Sequence, residues 1–335
     1  MKILSPTQTA LIEILSDGHY HSGEKLGQAL GLTRTAIWKH IHFARETLQL
    51  PITSKTGKGY HLIPAPLLLD RKYIWQGLSP EYQTQLLSLD CYSHIDSTSQ
   101  HLYQRICETE RRPRLCIAEM QTAGIGRRGQ TWQSPYGYNV YYSLLWHFQH
   151  PPQALLGLSI MLAIIACRLL TAIPEFPPGI ELKWPNDIFF NGKKLAGVLV
   201  EMRAQNTGTS HCVMSIGING FLPPNSGQQI EQTRTDHYQI TGQVLDRNVF
   251  IRDFTNELFA AIPLYLEQGL TPFQTEWSQY DRFYQQPITL IGHDQTTRHG
   301  IAQGITPEGL LKFKCSTTGE TLAVHSGQYR IKLES

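Results

Sequence analysis

Two stretches of the sequence hold residue types that could do chemistry on anions. Gly124-Ile125-Gly126-Arg127-Arg128-Gly129, within QTAGIGRRGQTW (121–132), places two guanidinium groups on a glycine-rich backbone. Glycine lets backbone amides approach an anion closely, and arginine offers a planar fork of donors that fits carboxylate or phosphate. KWPNDIFFNGKKLAGVLVE (183–201) sets Lys183, Asn186, Asp187 and Lys194 among apolar, strand-forming residues. A lysine on a buried strand is costly unless it meets an anion or a carboxylate. Two shorter stretches add neutral polar groups: IDSTSQ (95–100) puts hydroxyls at a helix start, and GIN (217–219) ends an apolar run on an asparagine. Each has a plainer reading by itself: a solvated surface turn, a helix cap at Ser97, a snorkelling rim lysine at Lys194. Together they supply hydroxyls for a neutral polar ligand, cations for two anions, and a glycine-rich lid.

The glycine spacing also fits G-x-G-x-x-G, the dinucleotide-binding fingerprint. That fingerprint works only where a helix begins on the glycines and an acidic residue about 20 positions on takes the ribose. Here Pro135 and Gly137 follow, then a strand-like run, and no Asp or Glu occurs between Glu119 and Glu175. The Rossmann reading fails, and the loop is an anion grip of another kind.

The elements that must carry these residues fall into three segments. Residues 1–64 hold seven Lys/Arg against four acids, net +3, which leaves −1 on the rest of a 335-residue chain of total charge +2. A basic head on a near-neutral body suits a nucleic-acid module. Its pattern predicts three short helices, with Leu11, Ile14 and Leu15, then Leu26 and Leu30, then Ile37, Ile41 and either Ala44 or Leu48 facing inward. A β-hairpin wing follows around Gly57-Lys58-Gly59. In this helix-turn-helix layout, Arg34, Thr35, Trp38, Lys39, His42 and Arg45 face outward for base edges, and Lys58 meets phosphate. Trp38 could instead pack inward. PAPLLLD (64–70) reads as a linker.

From 65 to 283 strands and helices mix irregularly. Strands are predicted at 114–120, 138–146, 180–184, 194–202 and 212–218, and helices at 98–110, 153–172 and 248–268. Asn191-Gly192 between two strands signals a type I′ hairpin and antiparallel pairing. The order implies an α+β class with a mixed sheet covered by helices. Residues 284–335 hold short strands broken by Pro307-Glu308-Gly309 and Thr318-Gly319, as in a small β-barrel. The apolar run at 155–173 contains Arg168 and is shorter, uninterrupted, than the ~20 residues of a bilayer span. It reads as a core helix, with no membrane role. The six cysteines have no zinc-like spacing and read as reduced thiols of a cytoplasmic protein.

These stretches together resemble the biotin–protein ligases, specifically the bifunctional ligase/biotin-operon repressors. The likeness runs nearly end to end: HSGEKLGQALGLTRTAIWKHI and GKGY, then IDSTS, QTAGIGRRGQTW, SPYGYNVYYSL, KWPND, KLAGVLVE and IGIN. KWPND followed by KLAG downstream of the glycine–arginine loop is the most specific part. The resemblance implies a winged helix-turn-helix over 1–64, a class II synthetase-like catalytic domain over 65–283, and an SH3-like β-barrel over 284–335. It implies two reaction steps with biotin, ATP and Mg²⁺, the metal entering only with ATP. The biotin carboxylate attacks the α-phosphate to give biotinyl-5′-AMP, and a lysine of a biotin carboxyl carrier domain then attacks the adenylate. It also implies a homodimer, formed when adenylate is bound, on double-stranded operator DNA.

By the same resemblance, Ser97, Thr98, Ser99, Gln121, Gly124, Gly126 and Gly217 surround biotin, with Arg127 and Lys194 at its carboxylate. Asp187 orients Lys194; Lys183 and Asn186 face the triphosphate; Arg128 and Trp132 join the nucleotide side, and Asn219 approaches the adenine. Arg127, Lys194, Lys183 and Asp187 form the catalytic set. The chain departs from the family at Ile125 and Gln130, where basic residues are usual. Ser215 replaces a glycine and is expected to narrow the biotin pocket. Lys332 and Gln328 stand where Arg and Glu are usual in the barrel. Two alternatives follow: a DNA-binding biotin sensor without ligase activity, motivated by Ile125, or a ligase without operator recognition, motivated by Trp38. A lipoate ligase would share the general fold without KWPND–KLAG or the winged helix.

Overall fold

A computed structural model of the chain describes residues 4–107, 110–204, 208–223, 233–292 and 294–333. Residues 108–109, the end of the helix predicted over 98–110, lie outside the described residues. The basic head opens with α1 (Pro6–Leu15), started by a capping box in which the Ser5 hydroxyl accepts from Gln8 N and Gln8 Oε1 accepts from Ser5 N. α2 (Gly23–Leu30) and α3 (Arg34–Glu46) start on the hydroxyls of Ser22 and Thr33, each accepting from the backbone N–H three residues on. The wing is β1 (Ile52–Lys55) against β2 (Gly59–Leu62), antiparallel, with Lys55 opposite Gly59. Inside the head Leu11, Ile12, Leu15, Leu26, Ile37 and Ile41 are almost fully buried. Ile12 takes the inner place expected for Ile14, which packs at the edge.

Internal contacts divide the chain into two compact units, Met1–Leu145 with Ser215–Asp253, and Trp146–Met214 with Phe254–Ser335. In the first unit, α4 (Arg71–Gln76) and α5 (Pro80–Gln85) lead to β3 (Ser88–Tyr92), α6 (Thr98–Tyr103), β4 (Arg114–Ala118) and the start of β5 (Val140–Phe148). β3 pairs with β4 in parallel, and β4 with β5 antiparallel, so the sheet is mixed. α6 is shorter than predicted and closes in a 3₁₀ turn at Gln104–Cys107. The head does not enclose its own core. Met120, Tyr136 and Tyr138, which flank the glycine–arginine loop, are buried in the same apolar cluster as the head helices.

In the second unit, α7 (Leu158–Thr171) runs between β5 and a set of antiparallel strands, β6 (Ile180–Lys183), β7 (Asp187–Phe190) and β8 (Lys193–Ala204), followed by β9 (Ser210–Ile218). Most of α7 is buried, as a core helix requires, and Arg168 leaves the apolar run to pair with Glu276 at 2.7 Å and with Glu257. The β7–β8 turn has Asn191 and Gly192 at φ 45° and 76°, the two positive values that a type I′ turn needs. β9 ends in the first unit, where α8 (His237–Thr241) and the start of α9 (Arg247–Gln268) follow; α9 continues into the second unit and leads to α10 (Gln274–Tyr280).

The last strands are β10 (Pro287–Gly292), β11 (Thr297–Ile305), β12 (Leu311–Cys315), β13 (Thr321–Val324) and β14 (Tyr329–Leu333). They form one antiparallel sheet in the order β13-β12-β11-β10-β14. Lys332 sits on β14 opposite Thr289. The β11–β12 turn touches the KWPND segment directly, since Trp184 Nε1 donates to Gly309 O at 3.0 Å.

Candidate active site

The first unit gathers a row of buried hydroxyls. α6 begins at Ser97, whose hydroxyl accepts from Gln100 N at 3.4 Å and lies 3.1 Å from Ser99 Oγ. Both hydroxyls are therefore engaged in holding the helix start. Thr98 turns the other way: its backbone N–H and its hydroxyl both donate to Gln121 Oε1, at 2.9 and 3.1 Å. Thr98 Oγ1 is 2.8 Å from Ser143 Oγ on β5, and Ser143 Oγ is 2.8 Å from Ser215 Oγ on β9. Gln121 Nε2 donates to Ser134 Oγ at 3.1 Å, and Ser134 donates to Trp132 O. The sequence indicated Thr98 and Gln121 but missed Ser134 and Ser143. The available signal was a serine at a buried position within the apolar strand YYSLLW.

The glycine–arginine loop is a tight reverse loop. Trp132 N donates to Gly124 O at 2.8 Å and Gly126 N to Gln130 O at 2.7 Å, with Arg128 at φ 57° over the turn. The loop read as a lid is thus held shape by its own backbone ladder. Arg127 is half-buried and Arg128 exposed. Gly124 must be glycine, because a Cβ there would stand 2.6 Å from Trp132 O and 2.8 Å from Ser134 Oγ. Gly217 lies under the Trp132 indole, with a Cβ position 2.6 Å from Cε2. Asn219, expected near the adenine, donates through Nδ2 to Thr235 O at 3.1 Å and so pins the chain after β9.

The second unit gathers the KWPND–KLAG residues. Lys183 and Asp187 face each other across the β6–β7 hairpin, and a register shift in β7–β8 sets Phe189 opposite Lys194. Lys194 Nζ is 2.8 Å from Asp187 Oδ1, both side chains mostly buried. Asn186 Nδ2 donates to Val198 O at 2.6 Å, which locks the turn against β8. Lys183 lies 5.5 Å from the Phe189 ring centroid. Burial holds its pKa below the usual lysine range, Lys194 and Arg282 push the same way, and Asp187 opposes them. The result is a Lys194–Asp187 ion pair with a second ammonium, Lys183, near enough to feel both charges, a surplus of positive charge suited to a phosphate-bearing ligand.

On the head, Arg34, Thr35, Trp38, Lys39, His42 and Lys58 are exposed. Trp38 points outward, 55% exposed, stacked on His42 with centroids 5.5 Å apart and planes within 4°. Lys58 lies over the Tyr20 ring at 5.6 Å. Arg45 is a correction: its Nε donates to Ile52 O at 2.8 Å and its guanidinium lies over Tyr60, because it tethers α3 to the wing.

Comparison with known proteins agrees with this architecture. Residues 92–219 match the Biotin/lipoate A/B protein ligase family, and residues 7–61 match an HTH domain. These define a ligase of the biotin/lipoate class joined to a helix-turn-helix. The chain is 37% identical over 306 residues to the bifunctional ligase/repressor BirA of Escherichia coli, covering 90% of each. It is 32% identical over 312 residues to the protein of that name from Bacillus subtilis, covering 90% of this chain and 92% of that one. The chain belongs to the biotin–protein ligase family, in its bifunctional ligase/repressor form. A biotin protein ligase from Aquifex aeolicus, solved with biotin and ATP, shares the fold at TM-score 0.60 and 24% identity, covering 75% of this chain and 99% of that one.

Proposed function

We propose that this protein attaches biotin to a lysine of a biotin carboxyl carrier domain through biotinyl-5′-AMP, and that it represses transcription as an adenylate-bound homodimer on a two-half-site operator. The Lys194–Asp187 pair beside Lys183 is the observation that supports the ligase reading most directly. Joining a carboxylate to the α-phosphate brings two anions together, and fixed positive charge lowers that barrier where phosphate charge develops. Lys194 and Arg127 meet the carboxylate and the α-phosphate; Asp187 holds Lys194 in place. Lys183, Asn186 and Arg128 take the remaining phosphates of ATP, which enters with its Mg²⁺. Thr98 and Gln121 hold the biotin ring, with Ser97 and Ser99 fixing the helix start that presents Thr98. Gly124, Gly126 and Gly217 allow close backbone approach, while Trp132 and Asn219 line the adenine side. Pyrophosphate leaves in the first step. In the second, the acceptor amine attacks the acyl carbon and AMP leaves.

Incubating the protein with a carrier domain, biotin and MgATP, then weighing the intact acceptor, tests this reading; lipoate is the control. A biotin-sized gain on one lysine is expected. Adenylate retained by the protein with no gain on the acceptor would favour a sensor without transfer.

The DNA reading rests on the exposed α3 face and the wing. Lys58→Ala is expected to weaken binding at all sequences alike and to lower the magnitude of the salt slope by about 1, because one phosphate contact is lost. Trp38→Ala should instead relax sequence preference. Fluorescence anisotropy across a salt series separates the two, and an unchanged slope for Lys58→Ala would remove the wing from the interface. All these substrates meet in the cytoplasm, where we place the protein.

A further inference from the structure

The hydroxyl row has a direction that its hydrogen bonds determine. The Thr98 backbone N–H can only donate, so the Gln121 atom it meets at 2.9 Å is the amide oxygen. Thr98 spends its single hydroxyl proton on that same oxygen at 3.1 Å. In its 2.8 Å contact with Ser143, Thr98 must therefore accept, so Ser143 donates. Ser143 has then used its only proton, and in the next 2.8 Å contact Ser215 is the donor. Every hydroxyl proton in the row points toward Gln121. Ser215 ends the row: its proton is committed, both its lone pairs lack a donor among the described residues, and it is, at 9% exposure, the most accessible of the three residues. The row offers acceptors, while Gln121 Nε2 keeps a second proton beyond the one given to Ser134. Acceptors beside a single donor complement a cyclic urea, which carries two N–H donors and one carbonyl.

We propose that Ser215 is a specificity-determining residue whose hydroxyl accepts a hydrogen bond from an N–H of the biotin urea ring; this rests on the ligase reading above. Ser215 and Gly217 share one face of β9, since side chains alternate along a strand, and the Trp132 indole over Gly217 forms the neighbouring wall. The hydroxyl therefore adds a contact to the ring pocket instead of only narrowing it. A buried acceptor row leaves its lone pairs unsatisfied by a ring without N–H groups, such as the dithiolane of lipoate, which is how a polar site rejects an apolar analogue.

Calorimetric titration of the full chain with biotin and with desthiobiotin, which keeps the urea and lacks the thioether ring, tests the assignment. Ser215→Ala and Ser215→Gly are each expected to lose about tenfold or more in affinity for both ligands, the size of one buried hydrogen bond. The KM for ATP should stay unchanged, and lipoate should compete better against biotin than it does in the wild type. Wild-type affinity in Ser215→Ala, or tighter binding in Ser215→Gly, would overturn the assignment and leave Ser215 as a steric restriction. Wild-type protein that binds neither urea ligand would overturn the ligase reading and this assignment with it.

Discussion

Lys194→Ala is expected to lower biotin-dependent exchange of pyrophosphate into ATP by about 10²–10³-fold, the usual cost of removing one preorganised charge or donor from a transition state. The fold should survive. Lys194 and Asp187 are 17% and 20% exposed, so water can still reach the carboxylate left behind, and stranding it costs less than the about 3–5 kcal/mol of breaking a fully buried pair. Thermal unfolding should therefore shift by a few degrees at most while exchange collapses. Lys194→Arg makes the comparison sharper. It keeps the charge but replaces a compact ammonium with a planar fork, so it should restore the pairing with Asp187 and only part of the exchange. Exchange at the wild-type rate in Lys194→Ala would remove Lys194 from the reaction.

The parts of this molecule that were legible in the sequence are those set by local rules. Ser22 and Thr33 cap helices because a short hydroxyl satisfies an orphan N–H, and Asn191-Gly192 turns a hairpin because both residues tolerate positive φ. The helix-turn-helix and the antiparallel β6–β8 strands follow from such signals. What stayed hidden depends on tertiary partners. Ser143 occupies an inward position of an apolar strand, where a serine reads as a tolerated small residue; Ser215 stood out only as a departure from a glycine, and that the two hydroxyls meet at 2.8 Å could not be read from either strand. Arg45 looked like a base reader because helical periodicity puts it outside; the wing carbonyl of Ile52 turned it inward. The head's use of Met120, Tyr136 and Tyr138 was invisible for the same reason, since no periodicity within residues 1–64 reports that their apolar surface continues into another segment. Deleting the head would strip cover from residues that flank the glycine–arginine loop, so a clean modular separation of the two activities is not what this packing supports.

Arg247→Met is expected to be the most destabilising single change outside the apolar core. The Arg247 side chain is fully buried, 2.7 Å from the Glu119 carboxylate, which is itself 7% exposed. Arg247 also donates to Leu67 O at 2.7 Å and Asn139 O at 3.3 Å, while Glu119 Oε1 accepts from Leu69 N at 2.6 Å. Removing the guanidinium strands a buried carboxylate with one backbone donor, a loss of about 3–5 kcal/mol. It should appear as a lower urea midpoint with an unchanged m-value. Adding Glu119→Gln to Arg247→Met should recover part of the loss, because the amide oxygen still accepts from Leu69 N without an uncompensated charge. A double variant no more stable than the single one would show that the stranded charge is not the cause. The pair also has a functional reach that Lys194 lacks. Glu119 and Asn139 bracket the segment bearing the glycine–arginine loop, Leu67 and Leu69 lie in the link to the DNA-binding head, and Asn139 Oδ1 accepts from Gly220 and Phe221 just past Asn219. Loosening it should weaken biotin and operator binding together, whereas Lys194→Ala should leave operator binding by the unliganded protein untouched. Measuring both affinities in both variants distinguishes a shared scaffold from two separately supported sites.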